Sequence, residues 1–318
     1  MHPAGSVIGF TVASGAGYGM FAVIGLLASI GQLPADWLSG LILMFAAVAL
    51  VTGGLLSSTF HLGHPERAWR AFSQWRSSWL PREGVAAVVS YAPAVIVGWQ
   101  WVIDGDTSSQ PLRYAGAMLF VMSIVTVFCT AMIYRSLKPI PAWFNGYTTP
   151  GYLLMAAASG LMLTAGLFAI TGYSKAGLIL PALIATLGAL VVKAMYWKSL
   201  KGENFRLPTR ESATGLTLSG TVRPLEDPHS SDNYLMKEMG FMVARKHAGK
   251  LRKIAMIAGF AVPATLALAT MAIPQAGASG MLIIIGIVFM TPGLLAERWL
   301  FFAEARHAVS QYYRDRAA

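Results

Sequence analysis

The chain has 318 residues, of which 55% are hydrophobic and 12% are charged, with a formal net charge of +10. Soluble globular domains carry roughly 25% charged residues, so this composition excludes an ordinary water-soluble domain. The positive charge does not indicate a nucleic-acid-binding protein, because the basic residues are distributed among the connections between apolar segments and form no single basic patch.

Eight apolar segments are long enough to span a membrane as helices, since a hydrocarbon core of about 30 Å requires roughly 20 apolar residues. They begin near Gly5, Trp37, Gly84, Tyr114, Thr149, Gly177, Ile254 and Gly280, and they end near Ile30, Phe60, Ile103, Tyr134, Ile170, Trp197, Ile273 and Phe302. Continuous apolar segments do not fit a membrane barrel, whose strands alternate apolar and polar residues. We predict an all-α integral membrane bundle of about eight transmembrane helices, in which residues 1–318 form a single membrane domain.

Basic residues are concentrated in alternate connections between the predicted helices. The connections after helices two and four and the segment at the end of helix eight contain Arg67, Arg70, Arg76, Arg82, Arg135, Lys138, Arg298, Arg306, Arg314 and Arg316. The other connections contain Arg113 and Lys175 as their basic residues, together with Asp36, Asp104 and Asp106. By the positive-inside rule, we predict a multi-pass protein of the cell inner membrane whose termini and even-numbered connections face the cytoplasm.

The longest connection, residues 198–253, is predicted to be a cytoplasmic loop. It contains eleven basic residues and is interrupted by Pro208, Pro224 and Pro228. Within it, the spacing of apolar residues over 234–253 predicts a basic amphipathic helix. Such a helix either lies on anionic membrane lipid or forms a docking surface for a cytoplasmic partner, and the two functions can coexist.

The sequence predicts no metal or haem site in this protein. Its single cysteine, Cys129, allows neither an intrachain disulfide nor a cysteine cluster for zinc or iron–sulfur, and we interpret it as a small buried apolar side chain. None of the six histidines lies at mid-depth in an apolar segment, so paired axial ligands for an intramembrane haem are not expected.

Two ionisable side chains are predicted to meet where the second helix ends and the third begins. His61 lies in the last turn of helix two, before Gly63 and Pro65 end it, and Glu83 follows Pro81 at the start of helix three. Quinone chemistry moves two protons with two electrons, and a histidine and a carboxylate beside an apolar slot can exchange those protons. We therefore predict that His61 and Glu83 share a quinone pocket, and that the electrons are exchanged with another subunit.

Spacing alone leaves alternatives for several of these residues. His64 is a rival histidine three residues further along the sequence. Glu83 can instead be a helix cap paired with an arginine, and the tryptophans between the two helices can form an ordinary aromatic belt. Tyr134, at the end of helix four, either faces the same pocket or anchors the helix at the interface. Glu297 and Arg298 form either a functional pair or a local ion pair.

The segments HLGHPERAWRAF (61–72) and SWLPRE (78–83) resemble the membrane anchor subunit of dimethyl sulfoxide reductase. The resemblance continues through YR (134–135), PAW (141–143) and TPG (149–151), and the eight-helix plan covers essentially the whole sequence. It implies an anchor that holds a molybdopterin catalytic subunit and an iron–sulfur subunit and that exchanges electrons with the quinone pool.

The resemblance also implies a site and a reaction. In that family a histidine and a glutamate that match His61 and Glu83 are associated with the quinone site. The loop carrying the histidine faces outward in dimethyl sulfoxide reductase, whose catalytic subunits are periplasmic, whereas the charges here place it in the cytoplasm. A branch of the family serves a cytoplasmic sulfite dehydrogenase, and the insert at 227–235 resembles that branch. We therefore expect electrons from sulfite oxidation to reach ubiquinone.

Two sets of functional residues are predicted on this basis. The quinone-binding set is His61, His64, Arg67, Trp79, Glu83 and Tyr134. The set for partner docking is Arg70, Arg76, Arg82, Arg135, Lys246 and Arg252. No residue of this protein is predicted to be catalytic by itself or to bind metal, and the molybdopterin and the iron–sulfur clusters are expected on partner subunits.

Three other functions remain open from the sequence. The protein can be the quinol-oxidising anchor of a dimethyl sulfoxide reductase, or a purely structural anchor whose iron–sulfur partner binds the quinone. A transporter is the alternative from another class. It fits less well, because carriers place broken helices and ionisable residues near the midplane, whereas the charges here are predicted to lie at one surface.

Overall fold

Helices long and apolar enough to cross a membrane make up most of the described residues, and eight of them are found there. The structure is a computed structural model and describes residues 5–60, 64–173, 176–202, 209–215, 222, 225, 245–273 and 276–308. The membrane helices are α1 Gly5–Ser29, α2 Trp37–Thr59, α3 Trp79–Gly98, α4 Gln110–Arg135, α5 Thr148–Ile170, α6 Ile179–Ser199, α7 Ala248–Thr270 and α8 Ala276–Ala303. The predicted all-α class and its eight spans are confirmed.

Local sequence signals explain where two of the helices begin. At α2, the side chain of Asp36 accepts a hydrogen bond of 2.8 Å from the backbone N–H of Ser39. At α4, Ser109 accepts one of 3.4 Å from the N–H of Leu112, and Pro111 lies in the first turn. Such side chains satisfy amide groups that the start of a helix leaves unpaired. The hydrogen bonds from Ser39 also lower the pKa of the Asp36 carboxyl.

The helix α7 begins at Ala248, earlier than the sequence predicted, because basic residues of its first turns are held by the end of α8. Arg252 donates two hydrogen bonds of 2.6 and 3.0 Å to Glu304. Arg245, just before the helix, donates one of 2.8 Å to a backbone carbonyl at the end of α8. Residues 234–244 of the predicted amphipathic helix lie outside the described residues, so that interfacial helix stays a prediction.

The helix α1 lies at the centre of the bundle and packs against α2, α4 and α5, while α3 packs on α4 and α8 joins α5 to α7. Glycines allow the closest crossings. A Cβ atom on Gly19 of α1 or on Gly160 of α5 would overlap the backbone of the other helix, and Gly293 of α8 meets Gly259 of α7 in the same way. Helices in lipid depend on such close packing, because lipid tails are as apolar as the side chains between helices.

The helices alternate in direction, so that α2, α4, α6 and α8 end on the side where α1, α3, α5 and α7 begin. We call this the arginine-rich side; its described arginines include Arg67, Arg70, Arg76, Arg82 and Arg135. Here the connection between α2 and α3 forms a 3₁₀ helix, Pro65–Gln74, whose Phe72 packs over Gly84 of α3. A Cβ atom at Gly84 would lie 2.7 Å from the Phe72 ring, so glycine lets this connection lie close against α3.

Candidate functional site

Glu83 is a buried carboxyl near the arginine-rich end of α3. The helix begins at Trp79, and the Glu83 side chain follows one turn later with 5% of its surface exposed. Its Oε1 accepts a hydrogen bond from Oγ1 of Thr130 in α4. Among the residues that the structure describes, no basic side chain pairs with Glu83. The alternative in which Glu83 is a cap paired with an arginine therefore finds no support there.

The two candidate histidines differ in what can be said of them. His61 lies outside the described residues, directly after Phe60 at the end of α2. His64 is exposed, and its Nδ1 lies 3.0 Å from Oε1 of Glu66. Arg67 is also exposed, with its Nε 3.7 Å from the same carboxylate. The structure thus places His64 and Arg67 at the surface around Glu66, and the choice between the two histidines stays open.

Trp79 and Arg82 hold the connection between α2 and α3 against the start of α3. The Arg82 guanidinium lies over the Trp79 ring, 4.3 Å from its centroid. It also donates hydrogen bonds of 2.9 and 2.7 Å to the carbonyls of Trp75 and Arg76. The Trp79 ring also contacts Phe128 of α4, at a ring distance of 5.9 Å. Arg82, predicted for partner docking, thus stabilises the protein's own loop.

The other residues predicted for docking divide into exposed and internally bonded side chains. Arg70 and Arg76 are exposed, each beside the tryptophan that precedes it in the sequence, and Lys246 is exposed before α7. Arg135 instead donates a hydrogen bond of 3.2 Å to a threonine of α5, and Arg252 is paired with the end of α8. The exposed three are therefore the side chains most available to a partner.

Tyr134 is half-buried at the end of α4 and packs against aromatic rings of neighbouring segments. Its ring lies 5.2 Å from Trp143, 5.8 Å from Tyr152, 5.6 Å from Phe301 and 5.4 Å from Phe302. Edge-to-face and offset stacks at such distances are favourable arrangements of aromatic rings. Tyr134 therefore joins α4 to α5 and α8.

A small cavity whose walls contain several polar side chains lies between α1, α4, α5 and α8. Its volume is ≈ 30 Å³, and its walls include Ser14, Tyr18, Thr130, Tyr152 and Arg298. Thr130 belongs both to this cavity and to the hydrogen bond with Glu83. The cavity therefore approaches the Glu83 carboxyl from the interior of the bundle.

Three charged side chains are buried together between α6 and α8. The Glu297 carboxylate pairs with Nζ of Lys193 and, at 2.6 Å, with Nε of Arg298. Exposure is 4% for Lys193, 0% for Glu297 and 4% for Arg298. We call these three residues the ion cluster. The ion pair considered for Glu297 and Arg298 is present in the structure, and Lys193, which the sequence analysis did not single out, joins it.

An apolar groove opens between α2 and α3, which contact each other little. Its volume is ≈ 440 Å³, and its lining includes Phe45, Val48, Val95 and Trp99. At one edge, Tyr91 shares a hydrogen bond of 2.7 Å with a threonine of α2. A groove of this kind accepts a flexible apolar molecule. Its lining on α3 begins at Tyr91, further along the helix than Glu83, whose carboxyl is bonded to α4.

The sequence analysis did not identify several of these residues, although the sequence contains features that point to some of them. Lys193 stands out as a basic residue inside the sixth apolar segment, where ionisable residues are rare and usually functional. Thr11, Ser14 and Tyr18 recur at helical spacing and mark one polar face of α1. Thr130 left no signal, because the rotation of α4 against α3 decides which of its residues meets Glu83.

Known proteins resemble this one over nearly its whole length. The family model of the dimethyl sulfoxide reductase anchor subunit matches residues 1–302. A sulfite dehydrogenase subunit of Allochromatium vinosum is 32% identical over 99% of both proteins. A polypeptide of the anaerobic dimethyl sulfoxide reductase of Escherichia coli is 27% identical over 58% of this sequence and 64% of its own. The predicted resemblance is confirmed, and the protein belongs to the family of dimethyl sulfoxide reductase anchor subunits.

Proposed function

We propose that this protein is the membrane anchor and quinone-reactive subunit of a molybdopterin and iron–sulfur oxidoreductase. The observation that carries the proposal is the buried carboxyl of Glu83, held by Thr130 beside the connection from α2 to α3. Membership of an anchor family supports the anchoring role. The carboxyl supports the quinone role.

Burying a carboxyl without a counter-charge lowers the stability of a protein, so the presence of Glu83 calls for a functional explanation. Removing an ionisable group from water destabilises its charged form, and no cation among the described residues offsets that effect for Glu83. A purely structural contact between α3 and α4 would be made better by an apolar side chain. A quinone carbonyl, by contrast, needs a partner that forms a hydrogen bond and exchanges a proton. Thr130 orients the carboxyl for that purpose.

The helix pair α2 and α3 offers room for the rest of the substrate. The apolar groove of ≈ 440 Å³ lies between the helices whose ends carry His61 and Glu83. In this proposal the quinone ring lies between those two residues and the isoprenoid tail follows the groove toward the opposite side. Trp79 and Arg82 hold the connection that covers the ring.

The arginine-rich side is the proposed docking face for an iron–sulfur subunit, which in turn holds the molybdopterin subunit. The exposed Arg70, Arg76 and Lys246 suit an acidic partner surface. The distribution of basic residues supports a cytoplasmic location for this face in an inner-membrane protein. The similarity to a sulfite dehydrogenase subunit supports sulfite as the electron donor and ubiquinone as the acceptor.

The test uses the complex purified from membranes with its native partners, and compares Glu83→Gln with Glu66→Gln. Glu66 is the matched control, because its carboxylate is 63% exposed and lies in the connection that precedes α3. We expect Glu83→Gln to lower sulfite-dependent reduction of a short-chain ubiquinone by about 100-fold, with reduction of a soluble dye unchanged. Glu66→Gln should keep both activities. Full quinone reduction by Glu83→Gln would show that the quinone binds elsewhere.

A second function within the family is oxidation of quinol by a dimethyl sulfoxide reductase. The similarity to a polypeptide of the Escherichia coli enzyme favours it. The same site serves either direction, because the direction is set by the molybdenum subunit. Quinol-dependent reduction of dimethyl sulfoxide by the purified complex, without sulfite-dependent quinone reduction, would establish this second function.

A further inference from the structure

The small cavity between α1, α4, α5 and α8 and the ion cluster have no role in the site described so far. We propose that the cavity holds water and that this water, together with the ion cluster, forms an internal proton route to Glu83. This inference rests on the proposed function, in which Glu83 exchanges protons with quinone.

The cavity is suited to water by its size and by its walls. Its volume of ≈ 30 Å³ leaves room for about two water molecules, since each needs roughly 10–15 Å³. Ser14, Ser159 and Thr130 line it; their hydroxyl groups donate elsewhere, and the oxygens can accept hydrogen bonds from water. Nη1 of Arg298 is buried without a hydrogen-bond partner among the residues described. A buried donor left unpaired is unfavourable, so water bound to Arg298 stabilises this wall.

The cavity joins two groups of polar residues that otherwise do not touch. On one wall, Thr130 donates its hydroxyl hydrogen bond to Glu83. On the other wall, Arg298 is bonded at 2.6 Å to Glu297, which pairs with Lys193. In this proposal, water in the cavity connects Arg298, and with it the Glu297–Lys193 pair, to Thr130 and so to Glu83.

The charges of the ion cluster indicate which residue gives up a proton. Lys193 and Arg298 carry two positive charges against one negative charge on Glu297, so the buried cluster holds one excess positive charge. Arg298 cannot be deprotonated, whereas loss of a proton from Lys193 leaves a neutral Arg298–Glu297 pair. Lys193 is therefore the proton donor, Glu297 relays the proton and Arg298 positions the water.

The charge of the transferred protons is balanced by electrons from the iron–sulfur partner. A proton leaves Nζ of Lys193 for Glu297, which passes one to the cavity water beside Arg298. Oγ1 of Thr130 gives its own proton to Glu83 and takes one from that water. Two such transfers accompany the two electrons that the iron–sulfur partner supplies for reduction of quinone to quinol. The quinone is the oxidant, and no further reactant is required.

Lys193 regains its proton from the arginine-rich side. Glu304, just beyond α8, accepts a hydrogen bond of 3.2 Å from Nε1 of Trp197, and Nζ of Lys193 lies 5.2 Å from the Trp197 ring. Glu304 is paired with Arg252, whose side chain is 30% exposed and reaches water. Among the described residues, two tyrosines are further titratable neighbours of the cluster, with Lys193 3.9 Å from the Tyr196 ring and Arg298 4.0 Å from the Tyr152 ring.

The test measures quinone-coupled turnover of the native complex with Lys193→Met, Lys193→Arg and the control Lys198→Met, whose lysine is exposed on the same helix. Lys193→Met keeps the Arg298–Glu297 pair, and Lys193→Arg keeps the charge but cannot release a proton. We expect both to lower kcat at least about tenfold near pH 8 and less near pH 6, with KM for quinone and dye reduction unchanged. Lys198→Met should behave as the wild type.

A second pair of variants tests the water directly and does not alter a charge. Gly15 lines the cavity, and a Cβ atom there meets nothing within 4 Å, so Gly15→Leu fills the space without a collision at that atom. Gly53→Leu is its control, because Gly53 is equally unobstructed but lies exposed on α2. We expect Gly15→Leu to slow quinone turnover as Lys193→Met does, and Gly53→Leu to have no effect.

The outcomes separate this inference from the proposed function. The proton route would be overturned if Lys193→Met kept the wild-type kcat and pH profile. If Lys193→Met does not assemble, the same result in Gly15→Leu would overturn it. Recovery of turnover by Lys193→Arg would also overturn it, since a structural charge would then suffice. If those variants behave as the wild type but Glu83→Gln loses quinone reduction, the quinone site stands without the proton route. If Glu83→Gln is unaffected, the proposed function itself fails.

Discussion

Glu83 and Glu297 are both buried carboxyls in the arginine-rich half of the bundle, but their surroundings are opposite. Glu297 is held between two cations, Lys193 and Arg298, whereas Glu83 has a hydroxyl partner, Thr130. A paired carboxylate becomes costly when its partner is removed, because a charge then stays buried alone. A carboxyl without a cation can gain or lose a proton with little rearrangement. The comparison indicates that Glu297 holds the ion cluster together in addition to relaying a proton, whereas Glu83 is available to a substrate.

The largest expected difference is in stability. Glu297→Ala leaves Lys193 and Arg298 buried without a counter-charge, and we expect it to lower the free energy of unfolding by about 3–5 kcal/mol or to prevent assembly. Glu83→Ala leaves no buried charge unpaired and should have a much smaller effect. Thermal unfolding of the two variants in detergent would measure this, and equal losses of stability would remove the distinction between the two carboxyls.

A smaller effect is expected from the partner of Glu83. Thr130→Val keeps the shape of the side chain but removes the hydroxyl that orients the carboxyl. We expect quinone-coupled turnover to fall about tenfold, which corresponds to about 1.4 kcal/mol, with little change in stability. Thr126→Val, one turn earlier on α4, is a control because its hydroxyl bonds to its own helix. Unchanged turnover in Thr130→Val would mean that Glu83 does not need this orientation.

The eight helices were predictable from the sequence because continuous apolar length is a strong signal, and Glu83 was found because of its position beside Pro81. The contacts of Glu83 were not predictable. Thr130 meets Glu83 because of the rotation of α4 about its own axis. The sequences of eight similarly apolar helices give little information about that rotation. Lys193 interrupts an apolar segment and so left a signal, but its partner Glu297 lies two helices later and meets it through tertiary packing alone.

The smallest expected effect concerns a half-buried carboxylate on the opposite side of the bundle. Hydrogen bonds from Ser39 lower the pKa of Asp36, so ionised Asp36 stabilises the start of α2. That contribution is present above the unfolded-state pKa of about 3.9 and is lost as the pH falls through the lowered pKa. Asp36→Ala should therefore lower Tm slightly at neutral pH, with the difference disappearing in acid. A constant difference at every pH would contradict this origin.

The central claim is that quinone binds beside Glu83 between the ends of α2 and α3. The most direct measurement is photolabelling of the native complex with an azido-ubiquinone, followed by mass spectrometric mapping of the labelled peptides with and without excess ubiquinone. The account predicts competed label on residues 60–83 and along the groove between α2 and α3, and loss of that label in Glu83→Gln. Competed label confined to the iron–sulfur partner, or to helices remote from α2 and α3, would contradict it.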